Sequence, residues 1–151
     1  MLKPSCFALV RRLTAMTLAI AGCSSAHSLP AVSPHPGEPT LAQVYYWKAR
    51  AGKLEEYTRY VRDVAEPIDA EAQRQGAFLS VTTYISQDSL SPWTHMRVFL
   101  LRDSAQLAGL SAALARAGER LEPDSAKRRT RASYAATLRD RVGDAVLQVM
   151  R

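Results

Sequence analysis

Leu41-Ala42-Gln43-Val44-Tyr45-Tyr46-Trp47 runs, after only Lys48, Ala49 and Arg50, into Ala51-Gly52-Lys53-Leu54-Glu55-Glu56-Tyr57, and this stretch decides the fold. Its first half is rich in β-formers and bounded by Pro39 and Gly52, which predicts a strand over Thr40 to Ala49. Alternation puts Ala42, Val44 and Tyr46 on one face and Gln43, Tyr45 and Trp47 on the other. Both faces carry bulk, so both are expected to be covered. Beyond Gly52 the period changes: Leu54, Tyr57, Val61, Val64, Ile68 and Ala72 recur every three or four residues, the spacing of one helix face. Pro67 removes a hydrogen bond from that helix and predicts a kink near Asp63 to Glu66 or a restart there. Gly76 is positioned to cap its end.

Downstream, Ala77 to Ser86 is again strand-like, Gln87 to Pro92 is a polar turn, and Trp93 to Arg102 alternates. Met96, Val98 and Leu100 fall on one side, Trp93, His95, Arg97, Phe99 and Leu101 on the other, so the pair reads as a hairpin. Ser104 caps a predicted helix through Arg120 that buries Leu107, Leu110, Ala113 or Leu114, and Ala117. Glu122-Pro123-Asp124 stops it. From Ser125 to Met150, Tyr134, Leu138, Val142, Ala145 and Val149 keep a helical spacing; the segment is expected to be mainly helical, with Ala145 to Met150 as an alternative last strand.

Upstream lie Lys3, Arg11 and Arg12, then an apolar run from Leu13 to Gly22. A membrane-spanning helix needs roughly 20 apolar residues, so this run is too short to span and fits an export signal. Ile20-Ala21-Gly22-Cys23 resembles the lipobox of bacterial lipoproteins. That resemblance implies cleavage before Cys23, acylation of its thiol and new α-amine, and anchoring in the envelope. Ser24, not being Asp, implies the outer rather than the inner membrane. The alternative is an ordinary secreted protein in which Cys23 is a coincidence. Pro30, Pro34, Pro36 and Pro39 among serines make 23–39 an extended tether, and His27 and His35 solvated linker residues. The expected organisation is a signal over 1–22, a lipidated Cys and tether over 23–39, and one domain over 40–151.

The formal charge of +6 falls to +3 when Lys3, Arg11 and Arg12 leave with the signal. That excess is too mild to argue for nucleic acid, and export makes such a partner foreign to the compartment. Cys6 is discarded with the signal and Cys23 becomes a thioether, so no internal disulfide is expected. Packing must supply the stability.

The order β, α, β, β, α over residues 40–121 resembles a ferredoxin-like α+β unit, an antiparallel sheet with helices on one face. The Ala51 to Tyr57 turn is similar to that of the dimeric α+β barrel proteins, which include antibiotic-biosynthesis-monooxygenase-like domains. The resemblance implies a homodimer in which two sheets close a barrel with the helices outside. On that expectation Ala42, Val44, Met96, Val98 and Leu100 meet the helices, and Gln43, Tyr45, Trp47, His95, Arg97 and Phe99 face the barrel interior.

That interior set is the candidate site. Arg97 offers a charge and a fork of donors, while Tyr45, Trp47, Trp93 and Phe99 offer stacking surface for an anionic or aromatic ligand. His95 adds a group suited to acid or base work near neutral pH. The same residues equally suit a packed core or a dimer interface. The superfamily includes cofactor-free oxygenases and haem-degrading enzymes; the latter use an Asn, Trp and His set, and here the first strand offers Gln43 and no Asn. No cofactor or metal is implied. Lys127-Arg128-Arg129-Thr130-Arg131, the densest charge run, reads as a solvated helix face or as a surface for anionic lipid. No phosphate loop, G-x-S-x-G elbow, paired-His metal helix or free Cys nucleophile is present in the mature sequence. The expected function is therefore small-ligand binding or assembly by a lipid-anchored domain. The alternatives are a cofactor-independent oxygenase-like or isomerase-like enzyme using His95 with Arg97, and a purely structural lipoprotein.

Overall fold

A computed structural model describes residues 37–150. The signal, the lipobox with Cys23 and nearly all of the tether lie outside the described residues. Four strands form one antiparallel sheet: β1 (Leu41–Ala49), β2 (Ser80–Ile85), β3 (His95–Leu101) and β4 (Arg139–Gln148), in the order β2-β3-β1-β4. Between them run α1 (Leu54–Tyr60) and α2 (Glu66–Arg74) after β1, and α3 (Ser104–Leu121) and α4 (Ser125–Leu138) after β3. The architecture is the expected ferredoxin-like α+β sheet with helices on one face.

Local chemistry sets each joint. Gly52 adopts φ +71°, letting the chain turn from β1 into α1, and Lys53 N–H closes that turn on the Arg50 carbonyl at 2.9 Å. Gly76 takes φ +75° beyond α2; its N–H bonds the Gln73 carbonyl at 2.8 Å and Ala77 N–H bonds that of Ala72 at 3.1 Å. Those paired bonds satisfy the carbonyls a helix end leaves open. Between α1 and α2 a π-helical turn spans Val61–Ala65, with the Glu66 N–H reaching the Val61 carbonyl. Pro67 has no N–H to offer Asp63, and a widened turn absorbs that loss before α2 begins at Glu66, at the place where a kink or a restart was expected.

Two boundaries differ from expectation. The cap of α3 is Asp103, whose carboxylate accepts the Gln106 N–H at 2.9 Å, and Ser104 is the first helical residue. The charged side chain complements the positive helix end better than the hydroxyl. More consequentially, helix ends at Leu138 and the next ten residues are a strand. Helical spacing through Val142, Ala145 and Val149 misleads because β4 exists through tertiary pairing with the free edge of β1, from Ala49↔Arg139 to Leu41↔Gln148. A bulge between Tyr46 and Trp47 accommodates the extra residue Val142.

The face assignment is reversed relative to expectation. The helices cover the odd-numbered face: Phe99 and Leu101 pack with Ala72, Phe78, Leu110 and Ala117, and Ala49 with Tyr57, Val61 and Leu138. Tyr45 and Trp47 join the margins of these clusters. Alternation therefore turns Ala42, Val44, Tyr46, Met96, Val98 and Leu100 away from the helices. Phe99 anchors the covered face, edge-on to Phe78 at 5.0 Å and to Tyr45 at 5.8 Å.

A Cβ at Gly76 meets no atom within 4 Å, so the cost of Gly76→Ala is backbone conformation alone, about 1–2 kcal/mol. Gly109, inside α3 and equally open, has an ordinary helical φ, and Gly109→Ala is expected to stabilise by up to about 1 kcal/mol. Urea titration of both variants checks the opposite signs; shifts of the same sign contradict this account.

Candidate functional site

Strand pairing gathers the five candidate side chains. Across β1 and β3, Trp47 sits opposite His95, Tyr45 opposite Arg97 and Gln43 opposite Phe99, all on the odd-numbered face. The structure thus brings Tyr45, Trp47, His95, Arg97 and Phe99 together. It places them under α1, the π turn and α2, on the helix-covered face, where a face turned away from the helices was expected.

His95 is fully buried, edge-on to the Tyr57 ring at 4.4 Å. Its Nε2 lies 3.1 Å from Thr58 Oγ1 and its Nδ1 3.1 Å from Thr94 Oγ1. The Thr58 hydroxyl donates to the Leu54 carbonyl at 2.8 Å, so its oxygen is left to accept from Nε2–H. Thr94 Oγ1 accepts the Ala49 N–H at 2.7 Å, and its one proton lies between two acceptors, the Trp47 carbonyl at 3.2 Å and Nδ1 at 3.1 Å. Each ring nitrogen has one partner in the neutral imidazole. Burial, helped by the Arg139 cation, pushes the pKa from 6.5 down to about 4. A ring so engaged and so weakly basic is a poor general base at neutral pH.

Arg97 is tied to Asp69 of α2, and both side chains are almost fully buried. Its guanidinium carbon lies 5.3 Å from the Phe99 ring centroid, and its Nε is buried without a hydrogen-bond partner. Burial pushes the Arg97 pKa down, and the Arg139 cation acts the same way. Arg139, at the start of β4, stacks 3.5 Å above the Trp47 centroid and donates from Nη1 to the Tyr57 hydroxyl at 3.1 Å. Among the described residues no carboxylate lies within 4 Å of it, so its compensation is aromatic. The Tyr57 phenol is pushed up by burial, partly offset by Arg139. Arg141 lies over Tyr45 at 4.9 Å and pairs with Asp144 at 2.8 Å. Gln43 is buried and donates to the Ala145 carbonyl at 3.2 Å.

The cluster is closed, electropositive by the charge of Arg139, and largely satisfied. An open groove of about 650 Å³ runs outside it between Leu54 and Ile85, with Thr58, Arg59 and Arg62 in its lining. Among the described residues no group of three or more His, Cys, Asp or Glu side chains is arranged to hold a metal. Sequence reasoning placed Tyr57 only as a helix-core residue and missed Asp69, Thr58, Thr94 and Arg139 as partners. Asp69 alone carried a signal: it sits beside Ile68 and one turn before Ala72, at the edge of the apolar stripe.

Unfolded, His95 takes a proton near pH 6.5; folded, it resists until about pH 4. Its contribution to stability is therefore intact above 6.5 and falls as pH drops through that window, by about 3 kcal/mol in total. Imidazole nitrogen chemical shifts should report the neutral Nε2–H tautomer still in place at pH 5; an imidazolium at pH 6 contradicts it. For the ion pair, Asp69→Ala leaves Arg97 buried without its carboxylate and is expected to cost about 3–5 kcal/mol in urea titrations. A loss below about 1 kcal/mol would mean that the pair is not closed from water.

No protein-family model matches the chain, and no curated protein matches it. Among solved structures it is similar to HapK from Hahella chejuensis, at 9% identity and TM-score 0.50, covering 73% of this chain and 92% of that one. It is also similar to PA3566 from Pseudomonas aeruginosa, at 19% identity and TM-score 0.42, covering 78% of this chain and 98% of that one. At such identity the likeness to HapK speaks to the α+β fold alone, which it supports.

Proposed function

We propose that the chain is a lipid-anchored bacterial envelope protein, held in the outer membrane through Cys23, whose domain is a homodimeric assembly module of the α+β barrel kind. The observation that carries it is the contrast between the two sheet faces. On the helix side the ring nitrogens of His95 are taken up by Thr58 and Thr94, and the Arg97 guanidinium is held by Asp69 through one Nη with Nε left over. Nothing there is poised for acid–base chemistry, which disfavours the oxygenase-like or isomerase-like alternative using His95 with Arg97.

The other face carries Ala42 and Val44, both buried, and Met96, Val98 and Leu100, part-buried, with Tyr84 and Leu147 each 49% exposed towards its margins and Tyr46 beside Trp93 at 6.2 Å. An apolar sheet face with half-exposed Tyr84 and Leu147 at its margins favours burial of those margins against a partner, and a self-complementary face suits a two-fold pairing. A second function, binding of a small anionic aromatic molecule, is favoured by one observation: Arg97 Nε lacks a partner and Arg139 lacks a carboxylate among the described residues. It requires α1 and the π turn to lift from the sheet.

Light scattering after gel filtration of a Cys23→Ser protein at micromolar concentration should give twice the mass of one chain. The double variant Tyr84→Arg, Leu147→Arg, both positions half exposed, should give one chain mass, while Leu121→Arg on the helix side leaves the dimer intact. A monomeric parent protein overturns the assembly proposal. Radiolabelled fatty acid should enter the native protein in cells and be absent from Cys23→Ser; label that persists in the variant overturns the anchor.

A further inference from the structure

Helix α4 buries little. Its buried residues, Ala135 and Leu138, lie near its C-terminal end, whereas Lys127, Arg129, Thr130 and Arg131 in its first half are exposed. It contains no acid, and Ser125 to Arg131 offers no large apolar side chain. Its basic residues divide into two kinds. Arg128 donates to the Glu122 and Pro123 carbonyls at 2.8 Å each, satisfying the open end of α3, and Arg131 pairs with Glu122 at 3.2 Å. These two clamp the α3–α4 corner. Lys127 and Arg129 do no such work: among the described residues neither has a carboxylate within 4 Å, and Arg129 reaches only the Ser125 hydroxyl at 3.3 Å. A shallow groove of about 340 Å³ lies between Lys127 and Arg131.

Two guanidiniums thus tie the corner together, and the Asp124 carboxylate caps the helix N-terminus by accepting the Ala126 and Lys127 N–H groups. Lys127 and Arg129 stand out beyond it, among the described residues without a carboxylate within 4 Å of their own. We propose that the exposed N-terminal half of α4 docks on an anionic phospholipid surface. Charge complementarity selects the partner, because phosphate-bearing headgroups attract basic residues close to the membrane surface. With no apolar side chain to insert, the contact is superficial and electrostatic, and salt must weaken it. An acyl chain and a basic patch together are a combination that gives stable attachment. The docking surface deepens the envelope assignment, yet it stands apart from the anchor and is tested without it.

The test uses the Cys23→Ser protein, which has no acyl chains, sedimented with vesicles of phosphatidylcholine containing about 30% phosphatidylglycerol, and with phosphatidylcholine alone. Binding is expected only to the anionic vesicles and is lost in about 0.5 M salt. Lys127→Gln with Arg129→Gln should weaken it about thirty-fold. Arg59→Gln with Arg62→Gln, on α1 and the π turn, removes the same charge from side chains that are already paired with Glu55 and Asp63, and should change it no more than about twofold. No binding to anionic vesicles, equal binding to neutral ones, or equal loss in the two double variants overturns the proposal. Failure of fatty acid labelling removes the anchor and leaves these results interpretable.

Discussion

Strand β1 is paired on both edges and carries bulk on both faces, and the rest of the domain answers that constraint. The chain has enough helix to cover one face. Whichever face the helices take, the bulk on the other needs something else to exclude water. The helices take the side with Tyr45, Trp47, Arg97 and Phe99, whose aromatic rings supply the larger area to bury. Burying an arginine and a histidine with them is costly unless each is partnered. Asp69 from α2 and Thr58 from α1 meet that demand, which fixes how these helices sit on the sheet.

Much of this was legible in the sequence, and the failures have identifiable causes. The strand–turn–helix stretch around Gly52, the break at Pro67, the cap at Gly76 and the hairpin of β2 with β3 follow from local rules: alternation, a missing N–H, a residue tolerant of positive φ. The last strand does not. Arg-Asp-Arg-Val-Gly-Asp-Ala-Val-Leu-Gln has no strong β pattern, and it is extended because β1 offers it an unpaired edge. Alternation correctly separated the two faces of β1 and β3 but could not say which the helices would choose, since both are bulky. The gathering of Tyr45, Trp47, His95, Arg97 and Phe99 was legible as one strand face. Its closure was hidden because Asp69, Thr58 and Arg139 come from other elements, Asp69 lying 28 positions from Arg97 and Tyr57 82 from Arg139.

Function follows from the division of labour between faces. A neutral, buried histidine between two threonine hydroxyls and an arginine locked to a carboxylate stabilise the fold. The surfaces with unmet physical demands lie elsewhere, on the open side of the sheet and on the free half of α4. An apolar sheet face calls for a partner that excludes water, and a pair of uncompensated cations calls for anions. A short acylated tether would bring both requirements to a place where copies of the chain and phospholipid headgroups are concentrated.

The central claim, that the open sheet face is covered by a second copy, is tested most directly by methyl relaxation measurements with a soluble paramagnetic agent. At high protein concentration the Val98 and Leu100 methyl groups should be shielded, and they should become relaxed as dilution separates the copies. The covered-face Leu101 and Leu110 methyls should stay shielded throughout. Val98 and Leu100 methyls that remain accessible at every concentration would contradict the account.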